Sequence, residues 1–451
     1  MSDVGLYIAG SGVNAARTAM DAVANNVANA NTPGYLAESV QLQAVPGAGP
    51  TSPGSGVEVS GITQVTNTIV EANALAASSQ ASYAAANQQG LQGIQSVFQE
   101  PSTYGLAEQL SSFWSSWDSI ASDPLALGPR SVVVGQAQGI ATTLNQQAAQ
   151  LTTMASQTSA QLTSLLQQVN TQLSEVAGLN QQIVSSSAAG QQVTALVDQR
   201  NQVVGTLGKE IGVTTRAQAN GSLNLYVGGL SVVQGTAADN LAVSTAGGTT
   251  SIVSGTTGAT GLVSSGTAAA LLSALNYEIP TYTKQINAVA ADLASTVNTQ
   301  LAAGYTSTGA SGSGYPMFLS SSGGTPSAAS IEINPALVSN PMDIAASSSA
   351  TYTNNGQNAQ AVAELYNASG GPDQAYRALV ANIGTAVSNA NEQAQSTSAL
   401  SQSANTLEQS ISGVNTDQQL VNMLSYQQAY QASAKVLSTV ATMMQSLLAA
   451  V

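Results

Sequence analysis

The sequence contains neither cysteine nor histidine. Thiolate nucleophiles, imidazole bases and the commonest transition-metal ligands are therefore all missing. Without cysteine the chain cannot form a disulfide framework, which suits either the cytosol or an exported protein that folds without oxidation. Carboxylates such as Asp118, Asp123, Asp198 and Glu210 lie far apart in the sequence, without metal-ligand spacing. We therefore expect no catalytic, cofactor-binding or metal site, and we predict that the protein is not an enzyme.

Charged residues are scarce, at 7% of the 451 residues, and the formal net charge is −14. The long-range field of such a chain repels phosphate backbones and anionic lipid head groups. The 8 basic residues are scattered singly, so the sequence shows no basic patch. We expect neither nucleic acid nor a membrane surface as a partner.

Long hydrophobic runs are also missing. Apolar residues are interrupted by Ser, Gln, Asn or Gly well before about 18 in a row, so the sequence predicts no membrane-spanning helix. The first residues include Asp3 and no basic residue before Arg17, unlike a cleaved secretory signal. If the protein leaves the cell, we expect it to use a route that needs no cleaved signal.

The first segment carries small or apolar residues at alternating steps of three and four, which is the pattern of a coiled-coil seam. This stripe consists of Leu6, Ala9, Val13, Ala16, Met20, Val23, Val27 and Ala30. It stops at the sequence Asn31, Thr32, Pro33, Gly34. Proline disfavours helix in the residue before it, and Pro-Gly suits the centre of a type II turn. The N-terminal helix is therefore predicted to end at this turn.

The last predicted helix, from about Asn415 onward, is apolar over about half its circumference. One of its stripes is Ala434, Leu437, Ala441, Met444 and Leu448, and the other is Val436, Val440, Met443 and Leu447. A single partner helix needs only one narrow seam. The extra width favours packing against the N-terminal helix and also against neighbouring copies, and an ordinary intramolecular bundle explains the pattern equally well.

An assembly interface is predicted on the apolar residues of these two helices. Its residues are Leu6, Val13, Met20, Val23, Val27, Val436, Leu437, Val440, Met443, Met444, Leu447 and Leu448.

The middle of the chain mixes long helices with short strands. Heptad spacing from Leu144 to Ile183 predicts one helix, which from Ser131 to Ser185 would be roughly 80 Å long. From Ile211 the apolar period changes to two, and Asn220-Gly221 predicts a hairpin turn. Helical spacing places Trp114 and Trp117 in a core rather than at a ligand site.

The predicted fold is therefore mainly α with a smaller β part (α+β). Residues 1–55 with 410–451 are predicted to form an inner coiled-coil domain from the two terminal helices. Residues 56–409 are predicted to form a rod-like helical domain. This domain includes a small antiparallel β region at about 211–262 and exposed loops at about 304–358.

Two terminal motifs resemble the family of flagellar rod, hook and hook-associated axial proteins. The run ANNVANANTPGY, from Ala24 to Tyr35, resembles the N-terminal signature of that family, and VNMLSYQQAYQASAK, from Val421 to Lys435, resembles its C-terminal end. The motif residues are Asn31, Thr32, Pro33, Gly34, Tyr35, Tyr426, Gln427, Gln428 and Tyr430. One departure is Leu36-Ala37, which replaces a polar pair that often follows the tyrosine.

The middle segments resemble one branch of that family, the hook-associated proteins of the hook–filament junction. These segments are Gly56 to Gly61, FWSSWDSIASDP from Phe113, LVDQRNQVVGTLG from Leu196, and the GSLNLYVGG hairpin from Gly221. The alternative is a hook or distal rod protein, which would share both terminal motifs but should lack the long heptad helix.

The resemblance implies a structural component of the bacterial flagellum, assembled through its terminal helices. The implied partners are further copies in a helical homo-oligomer ring, the hook protein, and the adjacent hook-associated protein on the filament side. It also implies a flagellar export chaperone that meets the C-terminal region, and an extracellular location after type III export without a cleaved signal peptide. Between about Gly304 and Asn358 the sequence leaves little room for a large outer domain.

Overall fold

The structure, a computed structural model, describes residues 2–32, 34–47 and 54–449, without the side chains of residues 2, 3, 367, 447 and 448. Pro33 of the predicted turn therefore lies outside the described residues. The same holds for the side chains of Leu447 and Leu448 in the predicted assembly interface.

Helices dominate the described chain. They are α1 (Ser2–Ala28), α2 (Thr68–Phe98), α3 (Leu106–Ser122), α4 (Leu127–Ala188), α5 (Thr194–Ile211), α6 (Gly266–Ser273), α7 (Ile279–Ala302), α8 (Pro335–Ser339), α9 (Gln357–Glu364), α10 (Pro372–Ser412) and α11 (Thr416–Leu448). The strands are β1 (Glu38–Ala44), β2 (Val57–Gln64), β3 (Val213–Ala217), β4 (Leu223–Val227), β5 (Leu230–Gln234), β6 (Ala237–Ala238), β7 (Leu241–Ala246), β8 (Thr249–Ser254), β9 (Thr260–Gly261), β10 (Phe318–Ser320) and β11 (Ile331–Ile333). The predicted mainly α fold with a small antiparallel β part is confirmed.

Helix α4 runs through both hydrophobic cores of the molecule. Its 62 residues would span about 93 Å at the usual rise. Its N-terminal half, through Leu144 and Leu151, belongs to one hydrophobic core, and its C-terminal half, through Leu162 and Leu173, belongs to a second. The heptad pattern thus predicted a single helix correctly, and that helix connects the two cores.

The first core forms around α3. Phe113 packs edge-on against Trp114 and Trp117, with ring centroids 5.0 and 6.0 Å apart. The Trp114 indole N–H donates to the Asp373 carboxylate at the start of α10, at 2.6 Å. The predicted burial of both tryptophans is confirmed.

The second core lies under the small sheets. Strands β3 to β6 form one antiparallel sheet and β7 to β9 another. The predicted hairpin is present, since β3 pairs with β4 across the turn that contains Asn220 and Gly221. Gly221 has φ +85°, a left-handed conformation that favours glycine.

The prediction of exposed loops at 304–358 is wrong. This segment forms β10, β11 and α8, and it buries Phe318, Leu337 and Ile344 in the first core. Its Gly and Ser content allows tight turns, and its scattered apolar residues were too widely spaced to show a period. Arg130 of α4 holds part of this segment in place, because its buried guanidinium donates to the carbonyls of Pro341, Met342 and Ile344 at 2.7–3.3 Å.

Candidate assembly surface on the terminal helices

Helices α1 and α11 pack against each other in antiparallel register. A Cβ atom built on Gly5 would lie 3.7 Å from Val440 Cγ2, and one built on Gly12 would lie 2.7 Å from Ser433 Oγ. Farther along, Asn26 donates to the Gln419 side chain. Gly5, Gly12 and Asn26 on α1 are thus matched by Val440, Ser433 and Gln419 on α11, with the same spacings of 7 and 14 residues in the opposite chain direction.

Small residues allow this close approach. The register places Ala19, which is fully buried, opposite Tyr426, so Gly5, Gly12 and Ala19 form a narrow heptad row facing α11. Bulky side chains at these positions would push the helices apart. The seam is therefore built on glycine and alanine, with the larger apolar residues at its edges.

The residues of α1 predicted at the interface occupy different environments. Val23 is buried, whereas Leu6, Val13 and Met20 are half-buried beside the small-residue row. Val27 is 39% exposed, so its place in the assembly interface stays a prediction, and Ala30 of the predicted stripe lies beyond the last residue of α1. Asn26, one residue earlier, takes the inward position.

Much of the apolar surface of α11 is not covered by α1. Leu437, Val440 and Met444 are half-buried, and Val436 and Met443 are exposed. Leu420, Val421 and Leu424 are exposed near the start of the helix. An apolar face of this extent on one helix is typical of a surface that a protein partner covers.

Asn26 locks the end of the helix pair, and all of its side-chain atoms capable of hydrogen bonding are used. Its Nδ2 donates to the carbonyl of Glu38 at 2.8 Å and to Gln419 Oε1 at 3.2 Å. Its Oδ1 accepts from the Glu38 N–H at 2.8 Å and from the Tyr35 hydroxyl at 2.9 Å. One fully buried amide thus joins α1, the start of β1 and α11.

This network gives a physical reason for the N-terminal motif. Gly34 has φ +80°, which lets the chain reverse after α1 and return Tyr35 to the side chain of Asn26. Asn31, Thr32 and Gly34 are exposed at the turn. Sequence reasoning recognised the motif but missed Asn26 and Gln419 as the contact; the polar residue in an apolar seam was the available signal.

The C-terminal motif residues do not converge on that turn. Tyr426 is half-buried against α1, and Gln427, Gln428 and Tyr430 are exposed. Tyr426 lies two turns beyond Gln419, so the two terminal motifs meet α1 at separate levels.

The terminal helices connect to the middle of the chain through β2 and α5. Gln64 Nε2 donates to Asp198 Oδ1 at 2.6 Å and to the Thr194 carbonyl at 3.3 Å. Burial, with a smaller contribution from Glu38, raises the pKa of Asp198 to about 6. Burial and the carboxylates of Glu38 and Asp198 raise the pKa of Tyr35. Asp198, in the LVDQR segment that begins at Leu196, therefore supplies a carboxylate to the contact between β2 and α5.

The next residues of that segment hold the hairpin. Buried Arg200 donates to the Gly221 carbonyl at 2.8 Å and to Asn180 Oδ1 at 3.2 Å. Asn180 in turn binds the backbone of Leu223 and Gly235. Asp198 and Arg200 thus serve two different contacts of α5, one with the terminal unit and one with the β region.

Replacing Asp198 by asparagine is expected to remove a pH dependence of stability. The folded state favours the protonated carboxyl, because its pKa is about 6 rather than near 4 as in an unfolded chain. Wild-type stability should therefore fall as pH rises from about 4 to about 6, and the variant should lack this fall and be more stable above it. Thermal unfolding at a series of pH values measures this. A wild type that gains stability over that interval more than the variant does would contradict the assignment.

The described residues offer no group of three or more Asp or Glu side chains placed to hold a metal ion. A cavity of about 440 Å³ lies between α2, α4 and α6, and its lining includes Gln157, Gln161 and Glu278 beside small and apolar residues. The acidic candidates Asp118 and Asp123 are exposed. Among the described helices, none combines the length with the hydropathy that a membrane span requires.

Three segments of the chain match models of protein families. Residues 6–35 match the flagella basal body rod protein model, and residues 407–450 match the C-terminal model of the flagellar basal body rod FlgEFG proteins. Residues 91–318, half of the chain, match the helical domain of the flagellar hook-associated protein FlgK. The chain belongs to the FlgK family of flagellar hook-associated proteins. The two terminal models cover α1 and α11, and the FlgK model covers α3 to α7.

Relatives in this family are named flagellar hook-associated protein 1. The Escherichia coli K12 protein is 26% identical over 320 residues, covering 68% of this chain and 58% of the relative. The Salmonella typhimurium protein is 28% identical over 238 residues, covering 51% and 43%, and the Bacillus subtilis protein is 24% identical over 227 residues, covering 48% and 45%. The matched part thus spans about half the length of these FlgK relatives.

A solved structure shares the fold. The flagellar hook junction protein FlgK from Burkholderia pseudomallei superposes with a TM-score of 0.64 at 17% identity, covering 77% of this chain and 100% of that one. At this identity the likeness shows the fold alone.

Proposed function

We propose that the protein is a non-enzymatic structural component of the bacterial flagellum that forms the junction between hook and filament. The observation that carries this proposal is the FlgK match, which lies between two terminal segments of the rod, hook and hook-associated type. The proposed neighbours are further copies in a helical ring, the hook protein, and the next hook-associated protein on the filament side. Neither nucleic acid nor a membrane is proposed as a partner.

The proposed location is extracellular, on the flagellum. The chain would reach it by flagellar type III export without a cleaved signal peptide, after an export chaperone has met its C-terminal region. The exposed apolar side chains of α11 support this order of events, because a chaperone would shield the same surface that neighbouring subunits later cover.

The terminal helices are proposed to carry the assembly contacts. The predicted interface residues lie on both helices, and those of α11 include exposed Val436 and Met443. Burying such surface against neighbours is favourable by about 25 cal/mol per Å² of apolar area. Residues 1–55 with 410–451 are accordingly proposed as the inner domain, and residues 56–409 as the rod-like domain outside it.

A hook or distal rod protein is the second candidate, because both terminal segments match models of basal body rod proteins. Deleting the gene distinguishes the two. The junction function predicts cells that build hooks but release filament protein into the medium. Cells without hooks would favour the second candidate, and cells that keep normal filaments would contradict both.

Replacing Val440 by aspartate is expected to abolish incorporation into the flagellum while the middle of the chain stays folded. Val440 packs beside Gly5 in the α1–α11 seam, so a carboxylate there would be placed in a packed apolar contact. Immunoblotting of purified flagella measures incorporation, and circular dichroism of the purified chain measures folding. Ser438→Asp on the exposed side of the same helix is the matched control and should incorporate normally. Normal filament attachment in Val440→Asp would count against the assembly role.

A further inference from the structure

The C-terminal part of α10 carries an apolar row that the described residues leave largely exposed. Leu400, Ala404, Leu407 and Ile411 follow one another at steps of four, three and four, which is coiled-coil spacing. Leu400 is 60% exposed, Leu407 52% and Ile411 38%. We call these four residues the α10 seam.

The α10 seam is not the side of α10 that packs on α2. The α2 contact runs through buried Thr397 and Ser401 and through the Gln88–Asn391 hydrogen bond of 2.6 Å. At 100° per residue the direction of Ser401 lies about a quarter of a turn from that of Leu400. Helix α10 therefore has two adjoining seams, of which one is occupied and the other is open.

The open seam has an acidic edge. Glu408 follows Leu407 directly, at the position that flanks a coiled-coil seam. Burial and the nearby carboxylate of Glu71 on α2 raise the pKa of Glu408. Two like charges thus lie together beside exposed leucine and isoleucine, an arrangement that a cation from outside would relieve.

Helix α11 carries the complementary pattern. Ala432, Val436, Thr439 and Met443 have the same spacing of four, three and four, and all four are exposed, with Val436 at 51% and Met443 at 55%. We call them the α11 seam. Lys435 precedes Val436, is exposed, and is the one basic residue of α11.

Lys435 is also without an acidic neighbour on its own helix. The one acidic residue of α11 is Asp417, about five turns away. Arg17 on α1 differs, because Asp21 lies one turn from it. Among the cations of the terminal helices, Lys435 is therefore the better match for the acidic edge.

The two seams are not arranged to meet within one chain, because α11 lies along α1 and α10 along α2. We infer that the α10 seam of one copy receives the α11 seam of a second copy, with Lys435 opposite Glu408 and Glu71. Flanking charges of opposite sign on two seams are the usual way in which coiled-coil pairs select their partner. The contact joins different surfaces on the two copies, so it propagates into a ring or a helix, and it rests on the proposed assembly function.

Zero-length cross-linking of a carboxylate to an amine tests the contact in assembled flagella. Two forms of the full chain are co-expressed in cells that lack the native copy, one with Lys435→Gln and the other with both Glu71→Gln and Glu408→Gln. Any link between Lys435 and these carboxylates must then join two copies. Mass spectrometry after carbodiimide treatment is expected to find Lys435 joined to Glu408 or Glu71. A link from Lys435 to another protein, or only to other carboxylates, would overturn the inference.

Charge exchange provides the second measurement. Glu408→Lys and Lys435→Glu should each lower the amount of protein incorporated into flagella by about tenfold, since like charges would face each other at the seam. The double variant should recover most of the loss, and Glu332→Lys on β11, exposed and distant in sequence, should behave as the wild type. Additive losses in the double variant would overturn the inference. Wild-type chain absent from flagella would instead refute the proposed function, so the two failures are distinguishable.

Discussion

Replacing Asn26 by leucine is expected to release the end of the α1–α11 pair and to lower its local free energy of opening by about 3 kcal/mol. The amide of Asn26 is fully buried and makes four hydrogen bonds. Leucine has a similar size but leaves the Glu38 N–H and carbonyl, the Tyr35 hydroxyl and Gln419 without this partner. Hydrogen exchange of the purified chain should show faster exchange in the last two turns of α1 and the first two of α11.

The neighbouring Asn25 provides the control for this prediction. Asn25 is exposed, and its longer hydrogen bonds of 3.2 and 3.3 Å reach Tyr35 and Glu38 from the outside. Asn25→Leu should change local protection by no more than about 0.5 kcal/mol. Equal protection in the two variants would show that the buried amide does not hold the pair.

Replacing Arg130 by methionine is expected to lower the free energy of unfolding of the middle of the chain by about 3–5 kcal/mol. Arg130 is fully buried, and burial lowers its pKa to about 10, so it remains charged at neutral pH. It donates to the carbonyls of Pro124 at 2.6 Å and Ile344 at 2.7 Å. Methionine fills similar space but leaves these carbonyls unsatisfied inside the protein.

Chemical denaturation of the two purified chains measures the Arg130 effect. Arg216→Met, on the exposed side of β3, removes the same charge without a buried partner and should change stability by no more than about 0.5 kcal/mol. Proteolysis should also cut the segment around Pro341 sooner in the Arg130 variant, because Arg130 joins it to the start of α4. A loss of stability no larger than that of the control would contradict this account.

Elements with a clear local sequence pattern were predicted well. The heptads of α4 extend over many turns, so single exceptions did not hide the helix. The Asn220-Gly221 turn between alternating residues predicted the hairpin, because few other structures use that pair in such a setting. The tryptophans of α3 fell on one helical face with Leu110 and Ile120, and all four are buried.

Short elements and long-range contacts were not predictable in the same way. Strand β10 has only three residues, too few to show a period of two. The inward position of Asn26 is set by its contacts with Glu38 and with Gln419, 393 residues away in sequence. Gly5 and Gly12 appeared unremarkable in sequence, since their role depends on the close approach of Val440 and Ser433.

The contact between β2 and α5 at Asp198 was also not predictable from the sequence. In the sequence this carboxylate is one of several that lie far apart and lack metal-ligand spacing. The structure places it beside Gln64, where the charge of Glu38 contributes to its raised pKa and where it contributes in turn to the raised pKa of Tyr35. The local segment was informative about family, and only the fold brought β2 and α5 together.

As a junction protein, this chain is proposed to occupy the boundary between hook and filament. Immunogold electron microscopy of intact flagella, with antibodies raised against the full chain, measures its position. Gold is expected only in the short zone where the hook ends and the filament begins, and none is expected on cells that produce only the Val440→Asp variant. Gold along the hook, along the filament or at the base of the flagellum would contradict it.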